Sequence, residues 1–276
     1  MLAVVPFTRL RWPSGGVASG AGTHVPGGAR LVRGRGRGKE VLSREPRACP
    51  GNGTRRREQR VFASIRRYRL QRGSMEELTR RVDEGFAEDI GRRPGFVAYE
   101  FMDCGDGGIM TLSVFRDADE AEASREFAQR WTEEHLQDLE FRRLEALRGE
   151  ILVSRAARDM LEPGHAGSAG MFASVRRYRL RTGSIGELMH IVDEVFADEI
   201  EAMDGFEAYH ALDCGGGKLI SISLLRDQAA AERSDERALG FVRRELGVFD
   251  IERTEVLGGE VIVRRAMATL LEPAHA

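Results

Sequence analysis

Apolar side chains recur at intervals of three or four residues in two stretches of the chain. In the first stretch these positions are Met75, Leu78, Val82, Phe86 and Ile90. In the second stretch they are Ile185, Leu188, Val192, Phe196 and Ile200. This spacing places the apolar side chains on one face of an amphipathic helix. Each stretch follows a Ser-x-x-Glu sequence, as from Ser74 to Glu77, which is a capping box typical of a helix start.

Runs rich in β-branched and aromatic residues surround these helices and predict strands. The runs "FVAYEFMD" and "IMTLSVFRD" flank the turn "CGDGG", a hairpin signal that returns later as "CGGGK". Asp117 and Asp227 then stand at the predicted start of a second helix, and "GEILVSR" and "GEVIVRR" are closing strands. With opening strands at 62–70 and 172–180, each part reads strand, helix, strand, strand, helix, strand.

This order occurs twice because the chain contains an internal duplication. Residues 61–166 align with residues 171–276 at a constant offset of 110, and 48 of the 106 positions are identical. The sequence "GSAG" between the copies is a short flexible linker. The predicted division is a first domain at 61–163, a linker at 164–170 and a second domain at 171–273.

The repeated order is that of the ferredoxin-like βαββαβ fold, an α+β arrangement with both helices on one face of an antiparallel sheet. The other face of that sheet is uncovered and needs a partner. Because the second copy provides one, we expect two ferredoxin-like domains packed sheet to sheet as an intramolecular α/β barrel around a central space. This internal pseudo-dimer leaves further oligomerisation open.

The strand "IMTLSVF" separates into two rows of side chains, because alternate residues of a strand face opposite sides. The apolar row, which suits packing against the helices, is Met110, Leu112 and Val114. The mixed row, which suits the wall of a small-molecule pocket, is Ile109, Thr111, Ser113 and Phe115. The second copy repeats the hydroxyls with Ser221 and Ser223.

Residues 1–60 differ in composition from the rest of the chain. They carry 13 Lys and Arg against 3 Asp and Glu, a net charge of +10, whereas the remainder carries 29 against 41, a net charge of −12. Sparse apolar residues and stretches such as "RLVRGRGRGKE" predict disorder. Three interpretations are open. The segment is a nucleic-acid-binding arm, an organellar transit peptide, or a stretch before the true start of translation that was wrongly assigned to the protein. In the third interpretation the protein starts at Val61, the position equivalent to Met171.

The composition of residues 61–276 limits the classes of partner that we expect. Its acidic balance argues against nucleic acid, because phosphate contacts need basic faces. No run of eighteen apolar residues occurs, so no membrane span is predicted. Three scattered cysteines fit neither a disulfide framework nor a zinc site, no other metal-ligand spacing is present, and we expect a reducing, cytoplasmic compartment.

The segments "RYRLQRGSMEEL", "PGFVAYEF" and "TLSVFRDADEAEAS" resemble the antibiotic biosynthesis monooxygenase superfamily of dimeric α/β-barrel proteins. The resemblance covers both copies and none of the first sixty residues. Members of the superfamily include cofactor-free monooxygenases that oxidise quinol-like polyketides. The resemblance therefore implies a small-molecule site that works without a cofactor.

Haem-degrading members of the same superfamily resemble one another through an Asn in the first strand and a Trp and a His in the second helix. In this chain Arg66 and Arg176 fall at the Asn position. Trp131 and His135 lie in the appropriate helix, but only four residues apart, and the second copy has neither residue at the equivalent positions. The haem-degrading constellation is therefore broken.

Arginines in the first strand of each copy are the most conspicuous chemical feature. The candidates for contact with a ligand are Arg67, Arg69, Arg177 and Arg179. A buried guanidinium needs a carboxylate, a wet cavity or an anionic ligand, because leaving it unpaired is too costly. The structural alternative is that these arginines reach the barrel rim and pair with acids such as Glu100, Asp103 or Glu150.

Three residues are predicted to be catalytic. His210 replaces Glu100 of the first copy and is the candidate general base, because the pKa of a histidine lies near neutrality. Arg67 and Arg177 are predicted to stabilise negative charge on the substrate. The predicted ligand-binding residues are Arg69, Arg179, Tyr99, Tyr209, Ser113, Ser223 and Trp131. The structural alternatives are a rim histidine, core tyrosines with hydrogen-bonded hydroxyls, and a tryptophan that only packs.

These residues and the resemblance together predict a protein that binds a small aromatic or anionic metabolite. The leading interpretation is a cofactor-independent monooxygenase that acts on a quinol or anthrone-type aromatic. The alternatives are a non-catalytic metabolite-binding or stress-response protein of the same fold, a haem-degrading monooxygenase, and a purely structural duplicated module. The last alternative predicts a barrel interior filled with side chains.

Overall fold

The computed structural model describes residues 60–157 and 170–266. The interpretations of residues 1–59 and of most of the linker concern residues outside these ranges. The chain divides into two units, and the unit Glu58–Ala276 contains every described residue. In the described ranges no helix combines the length and the apolar composition needed to cross a membrane.

The first copy has the predicted order of strands and helices in its described residues. Its elements are β1 Val61–Arg72, α1 Met75–Arg81, a π-helical segment Val82–Phe86, α2 Ala87–Gly91, β2 Phe96–Asp103, β3 Gly108–Phe115, α3 Ala118–His135 and β4 Glu140–Ala156. The π-helical segment connects α1 directly to α2. The predicted amphipathic helix therefore contains one stretch of wider turns.

The second copy repeats this order. Its elements are β5 Phe172–Thr182, α4 Ile185–Ile191, a π-helical segment Val192–Phe196, α5 Ala197–Glu201, β6 Phe206–Asp213, β7 Lys218–Leu225, α6 Gln228–Glu245 and β8 Asp250–Ala266. The wider turns fall at the same place in both copies, so they belong to the duplicated design.

Polar side chains start the helices as the sequence predicts. Ser74 Oγ accepts a hydrogen bond from the backbone N–H of Glu77, and Asp117 Oδ1 accepts one from the N–H of Glu120 at 2.8 Å. Equivalent bonds form at the starts of α4 and α6. These bonds satisfy N–H groups that have no partner within the first turn of a helix.

The eight described strands form one closed antiparallel barrel in the order β1-β3-β2-β8-β5-β7-β6-β4. The two longest strands join the copies. β4 pairs with β1 of its own copy and with β6 of the other, and β8 pairs with β5 and with β2 in the same manner. Each copy therefore completes the sheet of the other through backbone hydrogen bonds.

The barrel interior is filled with aliphatic side chains from both copies. The row Met110, Leu112 and Val114 lies there, in one cluster with equivalent residues of β7. The expectation that this row packs against the helices is therefore wrong. The row that lies inside has no hydrogen-bonding groups, so it is buried among aliphatic side chains without leaving polar atoms unpaired. The central space that we expected is occupied by these side chains, which is the interior that the purely structural alternative predicts.

The mixed row faces the helices instead. Phe115 and Ile109 belong to the cluster that packs under α1, α2 and α3. Ser113 shares the Arg66 guanidinium with Ser124 of α3, which places this hydroxyl on the helix side too. The cavities lie on this side of the sheet, and Ile109 and Thr111 of the mixed row line the first of them.

A cluster of four charged side chains lies where the two copies meet inside the barrel. Arg67 Nη1 donates to Glu255 Oε2 at 2.9 Å, and Arg177 Nη1 donates to the same oxygen at 3.1 Å. Arg177 also pairs with Glu145, which lies 3.6 Å from Arg67 Nη1. Both arginines and both glutamates are equivalent positions of the two copies. Each guanidinium therefore bridges its own copy to the other.

We predict that Glu255→Gln destabilises the fold by about 1–3 kcal/mol, because one carboxylate oxygen serves two guanidinium groups that are largely buried. The matched control is Glu252→Gln on the same strand. Glu252 pairs with Arg181 on the surface, where both side chains are more than half exposed. The control should cost less than about 0.5 kcal/mol.

Chemical denaturation of both variants measures the two free energies of unfolding. Equal losses would contradict the idea that the cluster stabilises the junction of the copies.

Candidate functional site

Each copy encloses a cavity between the outer face of its sheet and its helices. The first cavity has a volume of about 50 Å³ and the second about 40 Å³. In the first, Val82 and Phe86 of the π-helical segment and Trp131 of α3 form the helix side of the wall. Tyr68 and Tyr99 form part of the sheet side. The wall is therefore mainly apolar and aromatic.

Aromatic rings in the first cavity wall hold one another in place. The ring of Phe86 meets Tyr99 and Trp131 edge to face, with centroid distances of 5.1 and 5.4 Å. Trp131 stacks on His135 at 4.6 Å, and His135 Nδ1 lies 2.9 Å from the carbonyl oxygen of Trp131. Such contacts fix the orientation of the rings beyond what burial alone would do.

A glycine makes room for the tryptophan of the first cavity. A Cβ atom on Gly85, in the π-helical segment, would come within 2.8 Å of Trp131 Cζ2. At the equivalent positions the second copy has a larger residue on the helix, Val195, and a smaller ring, Phe241, in place of the tryptophan. The two positions have thus changed together, and the larger ring occurs where the helix carries no side chain.

Arg66 places a guanidinium in the wall of the first cavity. Arg66 is 2% exposed, and it donates from Nη1 to Ser113 Oγ and from Nη2 to Ser124 Oγ, both at 3.1 Å. Among the described residues, its Nε has no hydrogen-bond partner and no carboxylate forms an ion pair with it. Burial lowers the pKa of Arg66 from its ordinary value, although a guanidinium keeps its proton.

The second copy neutralises the equivalent guanidinium. Arg176 donates from Nε to Asp235 Oδ1 at 2.6 Å and from Nη1 to Ser223 Oγ at 3.0 Å. Ser174 donates to the same carboxylate oxygen at 2.5 Å. Arg176 does not belong to the wall of the second cavity. The two copies therefore differ in whether the buried cation has a counter-ion and in whether it borders a cavity.

A second polar atom of the first cavity wall is also unpaired. Thr111 lies opposite Arg66 in the pairing of β1 with β3, and its Oγ1 has no hydrogen-bond partner among the described residues. Burial raises the pKa of both Tyr68 and Tyr99, so their phenol groups stay protonated at neutral pH. The sheet side of this cavity thus presents hydrogen-bond donors to an apolar space.

His210 lies inside the barrel and outside the walls of both cavities. Its Nδ1 is 3.0 Å from Ser154 Oγ, and burial lowers its pKa to about 4, with Arg264 acting in the same direction. The equivalent residue Glu100 lies 3.9 Å from Arg264, and burial raises the pKa of that carboxyl to about 7. The role of His210 as a general base stays a prediction, and the structure locates it in the core.

The four arginines predicted to contact a ligand also lie away from the two cavities. Arg67 and Arg177 belong to the charged cluster inside the barrel. Arg69 and Arg179 each donate to a main-chain carbonyl in the hairpin turn of their own copy. The structural alternative from the sequence was that such arginines pair with acids. Arg67 and Arg177 do pair with acids, but their partners are Glu145 and Glu255 and not the acids named from the sequence.

Several predicted site residues do come together. Those in or against the first cavity wall are Tyr99, Trp131 and, through its bond to Arg66, Ser113. Those in the second copy are Tyr209, which lines the second cavity, and Ser223, which bonds Arg176. The mixed row therefore borders the cavities, whereas the four arginines predicted from the first strands lie outside both cavity walls, and their roles stay predictions.

Arg66 was not among the site residues predicted from the sequence. It was placed at the Asn position of haem-degrading relatives, and its need for a partner when buried was noted only in common with the other arginines of the strand. A signal was available in the comparison of the copies, because Arg125 stands where the second copy has Asp235. Arg125 turns to the surface and pairs with Glu122 instead. The first-strand arginine is thus the same in both copies, whereas the residue at 125 and 235 changes from a cation to an anion. This reversal of charge indicates that Arg66 and Arg176 differ in their electrostatic surroundings.

Metal ligands are not clustered in the part of the chain that the structure describes. No group of three or more His, Cys, Asp or Glu side chains there could hold an ion. Cys104 and Cys214 are free thiols, and burial raises their pKa to about 12 and about 11. Neither cysteine therefore has the depressed pKa of a redox sensor.

The fold is similar to those of proposed monooxygenases. One from Fusobacterium nucleatum superimposes with a TM-score of 0.57 and 8% identity, covering 76% of this chain and 95% of that chain. One from Lactobacillus acidophilus gives 0.53 and 10%, covering 75% and 96%. A proposed chlorite dismutase gives 0.50 and 13%, covering 74% and 95%. No protein-family model and no curated protein matches the chain.

We predict opposite pH effects from the two buried groups inside the barrel. The pKa of Glu100 is raised from 4.5 to about 7, so its stabilising contribution is present below pH 4.5 and is lost as the pH rises through 7. The pKa of His210 is lowered from 6.5 to about 4, so stability is lost as the pH falls from 6.5 to 4.

Glu100→Gln removes the titrating carboxyl group and with it the loss of stability as the pH rises. Relative to the parent chain, this variant should gain about 2–3 kcal/mol of unfolding free energy between pH 5 and pH 8.5. Denaturant titrations at the two pH values measure the change, with the exposed Glu126→Gln as control. Parallel pH profiles of the parent and Glu100→Gln would contradict the prediction.

We also predict that Gly85 and Trp131 are energetically coupled. Gly85→Val alone should cost about 1–3 kcal/mol, because the new side chain collides with the indole. Trp131→Phe in the same chain should recover part of that loss, with a coupling energy of about 0.5–3 kcal/mol. A double-mutant cycle measures this, and the reverse exchange Val195→Gly with Phe241→Trp is its counterpart in the second copy. Additive losses would refute the coupling.

Proposed function

We propose that this chain is a small-molecule-binding protein of the antibiotic biosynthesis monooxygenase type. In this proposal residues 61–163 and 171–273 are two ferredoxin-like domains that form, within one chain, the counterpart of a dimeric α/β barrel. The closed antiparallel barrel and its likeness to the folds of two proposed monooxygenases support the assignment.

The observation that carries the proposal is the first cavity. Its wall is apolar and aromatic except for a few converging polar groups, chiefly Arg66 and Thr111. This combination is typical of sites for small organic ligands, in which apolar surface supplies affinity and a few polar groups fix orientation. A flat ring held between Phe86 and the sheet would use both features.

The reaction that we assign to this cavity is a cofactor-independent oxygenation of a quinol or anthrone-type aromatic. The electron-rich substrate anion reacts directly with dioxygen. One oxygen atom enters the substrate as a carbonyl and the other leaves as water. For an anthrone, the ring CH₂ group supplies both hydrogens of that water and all of the electrons.

The protein has three tasks in such a reaction: to hold the ring, to exclude water and to stabilise negative charge. In the proposal Trp131 and Phe86 hold the ring, and the bound ring together with the helices keeps water out. The proposal gives charge stabilisation to Arg66, because a buried cation beside a developing anion acts strongly where water is excluded. Arg67, Arg177 and His210 are not part of this cavity wall, so the proposal gives them no share in this task.

The size of the cavity limits the substrate. A volume of about 50 Å³ is well below the several hundred Å³ of typical ligand sites. A substrate with more than one ring therefore requires the helices to move outward from the sheet. The π-helical segment Val82–Phe86 is the part of the wall suited to this movement, since wider turns weaken a helix locally and often occur at functional sites.

A second candidate function is a non-catalytic protein that holds a metabolite in the same cavity. One observation favours it: the described residues of the first cavity wall include no group that could accept a proton at neutral pH. The phenols of Tyr68 and Tyr99 stay protonated because burial raises their pKa. Without a base, oxygenation needs a substrate that loses its proton to water or arrives ionised.

Oxygen uptake tests the proposal. The full chain is mixed with a panel that runs from single-ring hydroquinones to anthrones under ¹⁸O₂, against protein-free and heat-denatured controls. We expect protein-dependent uptake, with one labelled atom in the product and one in water. Ala128 and Ala238 line the first and second cavities at equivalent positions. Ala128→Leu should abolish uptake, whereas the matched Ala238→Leu should retain it.

The outcomes separate the candidates. Uptake lost only in Ala238→Leu would move the site to the second copy. Binding without uptake across the panel, measured by calorimetry, would replace the oxygenase by the non-catalytic binding protein. Absence of both binding and uptake would refute a small-molecule function for these cavities.

A further inference from the structure

The charge of the first cavity is unbalanced. Arg66 is almost fully buried, borders the cavity and has no carboxylate partner among the described residues. Two serine hydroxyls accept from its Nη atoms, and its Nε is left without a partner. An uncompensated cation in a dry environment is costly, so a group that supplies negative charge here would be bound strongly.

The second copy shows what balances this cation. Asp235 accepts from Arg176 Nε at 2.6 Å, the atom equivalent to the unpaired Nε of Arg66. Three serines complete the polar cluster around Arg176, and all three are repeated in the first copy. The equivalent residues are Ser174 with Ser64, Ser223 with Ser113, and Ser234 with Ser124. Only the carboxylate is missing, since Arg125 occupies its position and pairs with Glu122.

Thr111 is a second polar group of the same wall, and its counterpart Ser221 in the second cavity wall likewise has no hydrogen-bond partner for its Oγ among the described residues. Thr111 Oγ1 is buried, has no partner among the described residues and lies on the strand position opposite Arg66. Arg66 Nε and the Thr111 hydroxyl can both donate hydrogen bonds to one acceptor. The rest of the wall is mainly apolar and aromatic, so the acceptor belongs to a molecule with an apolar body.

We infer that the first cavity binds a small organic oxyanion, a carboxylate or a phenolate with an apolar body, whose ionised oxygen replaces the carboxylate that Asp235 supplies in the second copy. This inference rests on the proposed function, because it names the substrate class of the same cavity. The second cavity has a neutralised arginine outside its wall, so the same oxyanion does not bind there. The substrate arrives ionised, and a general base in the wall is not required.

Isosteric pairs test the charge requirement. Acetate and benzoate are compared with acetamide and benzamide by calorimetry and saturation-transfer NMR on the full chain. We expect at least one oxyanion to bind with one site per chain and at least tenfold more tightly than its neutral amide. Arg125→Asp supplies the missing carboxylate, so it should weaken oxyanion binding at least tenfold and leave amide binding unchanged.

The matched control is Arg130→Asp, which makes the same charge change at an exposed position of the same helix and should alter oxyanion binding less than twofold. Arg66→Gln provides a second route if Arg125→Asp fails to fold, and it must remove the preference for the oxyanion. A preference that survives in either folded variant would overturn the inference.

Two further outcomes distinguish this inference from the function on which it rests. Equal binding of oxyanion and amide, or binding of neutral quinols only, would overturn the inference and leave the small-molecule cavity intact. No binding of any probe, quinols and anthrones included, would overturn both.

Discussion

Backbone pairing between the two copies is the constraint on which the rest of the structure depends. β4 and β8 each begin in the sheet of their own copy and end against a strand of the other, so neither sheet is complete without its partner. The barrel interior that results is enclosed by strands and holds aliphatic side chains. The described residues inside the barrel also include the paired charges of the Arg67 and Arg177 cluster, and Glu100 and His210, whose pKa values are strongly shifted.

The interior is filled, and the two cavities lie under the helices instead. Each copy has a cavity there, and the two cavities have diverged in a correlated way. Gly85 accompanies Trp131 in the first copy, whereas Val195 accompanies Phe241 in the second. The shared sheet explains how this divergence is tolerated: strand pairing fixes the backbone, and residues that face the helices can change in compensating pairs. One cavity has thereby acquired an uncompensated cation, and the other has not.

Much of the fold was predictable from local patterns. Period-3.6 spacing and Ser or Asp caps predicted the helices, alternating β-rich runs predicted the strands, and a constant offset of 110 predicted that the second copy would repeat the first. The π-helical segments were not predicted, because apolar positions spaced three or four residues apart fit an α-helix with or without one wider turn. The site was predicted only in part: Tyr99, Trp131 and Ser113 were named, whereas the arginine chosen at 67 lies one residue from Arg66, which borders the cavity.

The sequence by itself determined the duplication, the order of elements and the alternation that places residues 66 and 67 on opposite faces of β1. It could not determine which face is which. The rows of β3 are an apolar one and a mixed one, and either could have met the helices. Only the tertiary structure decided this, because both rows are buried, and the closing of the strands into a barrel depends on pairing between residues far apart in the chain. That closure places the purely aliphatic row inside. The same closure decided that Arg67 meets carboxylates of both copies while Arg66 meets a cavity, since burial and charge balance depend on contacts between residues far apart in the chain.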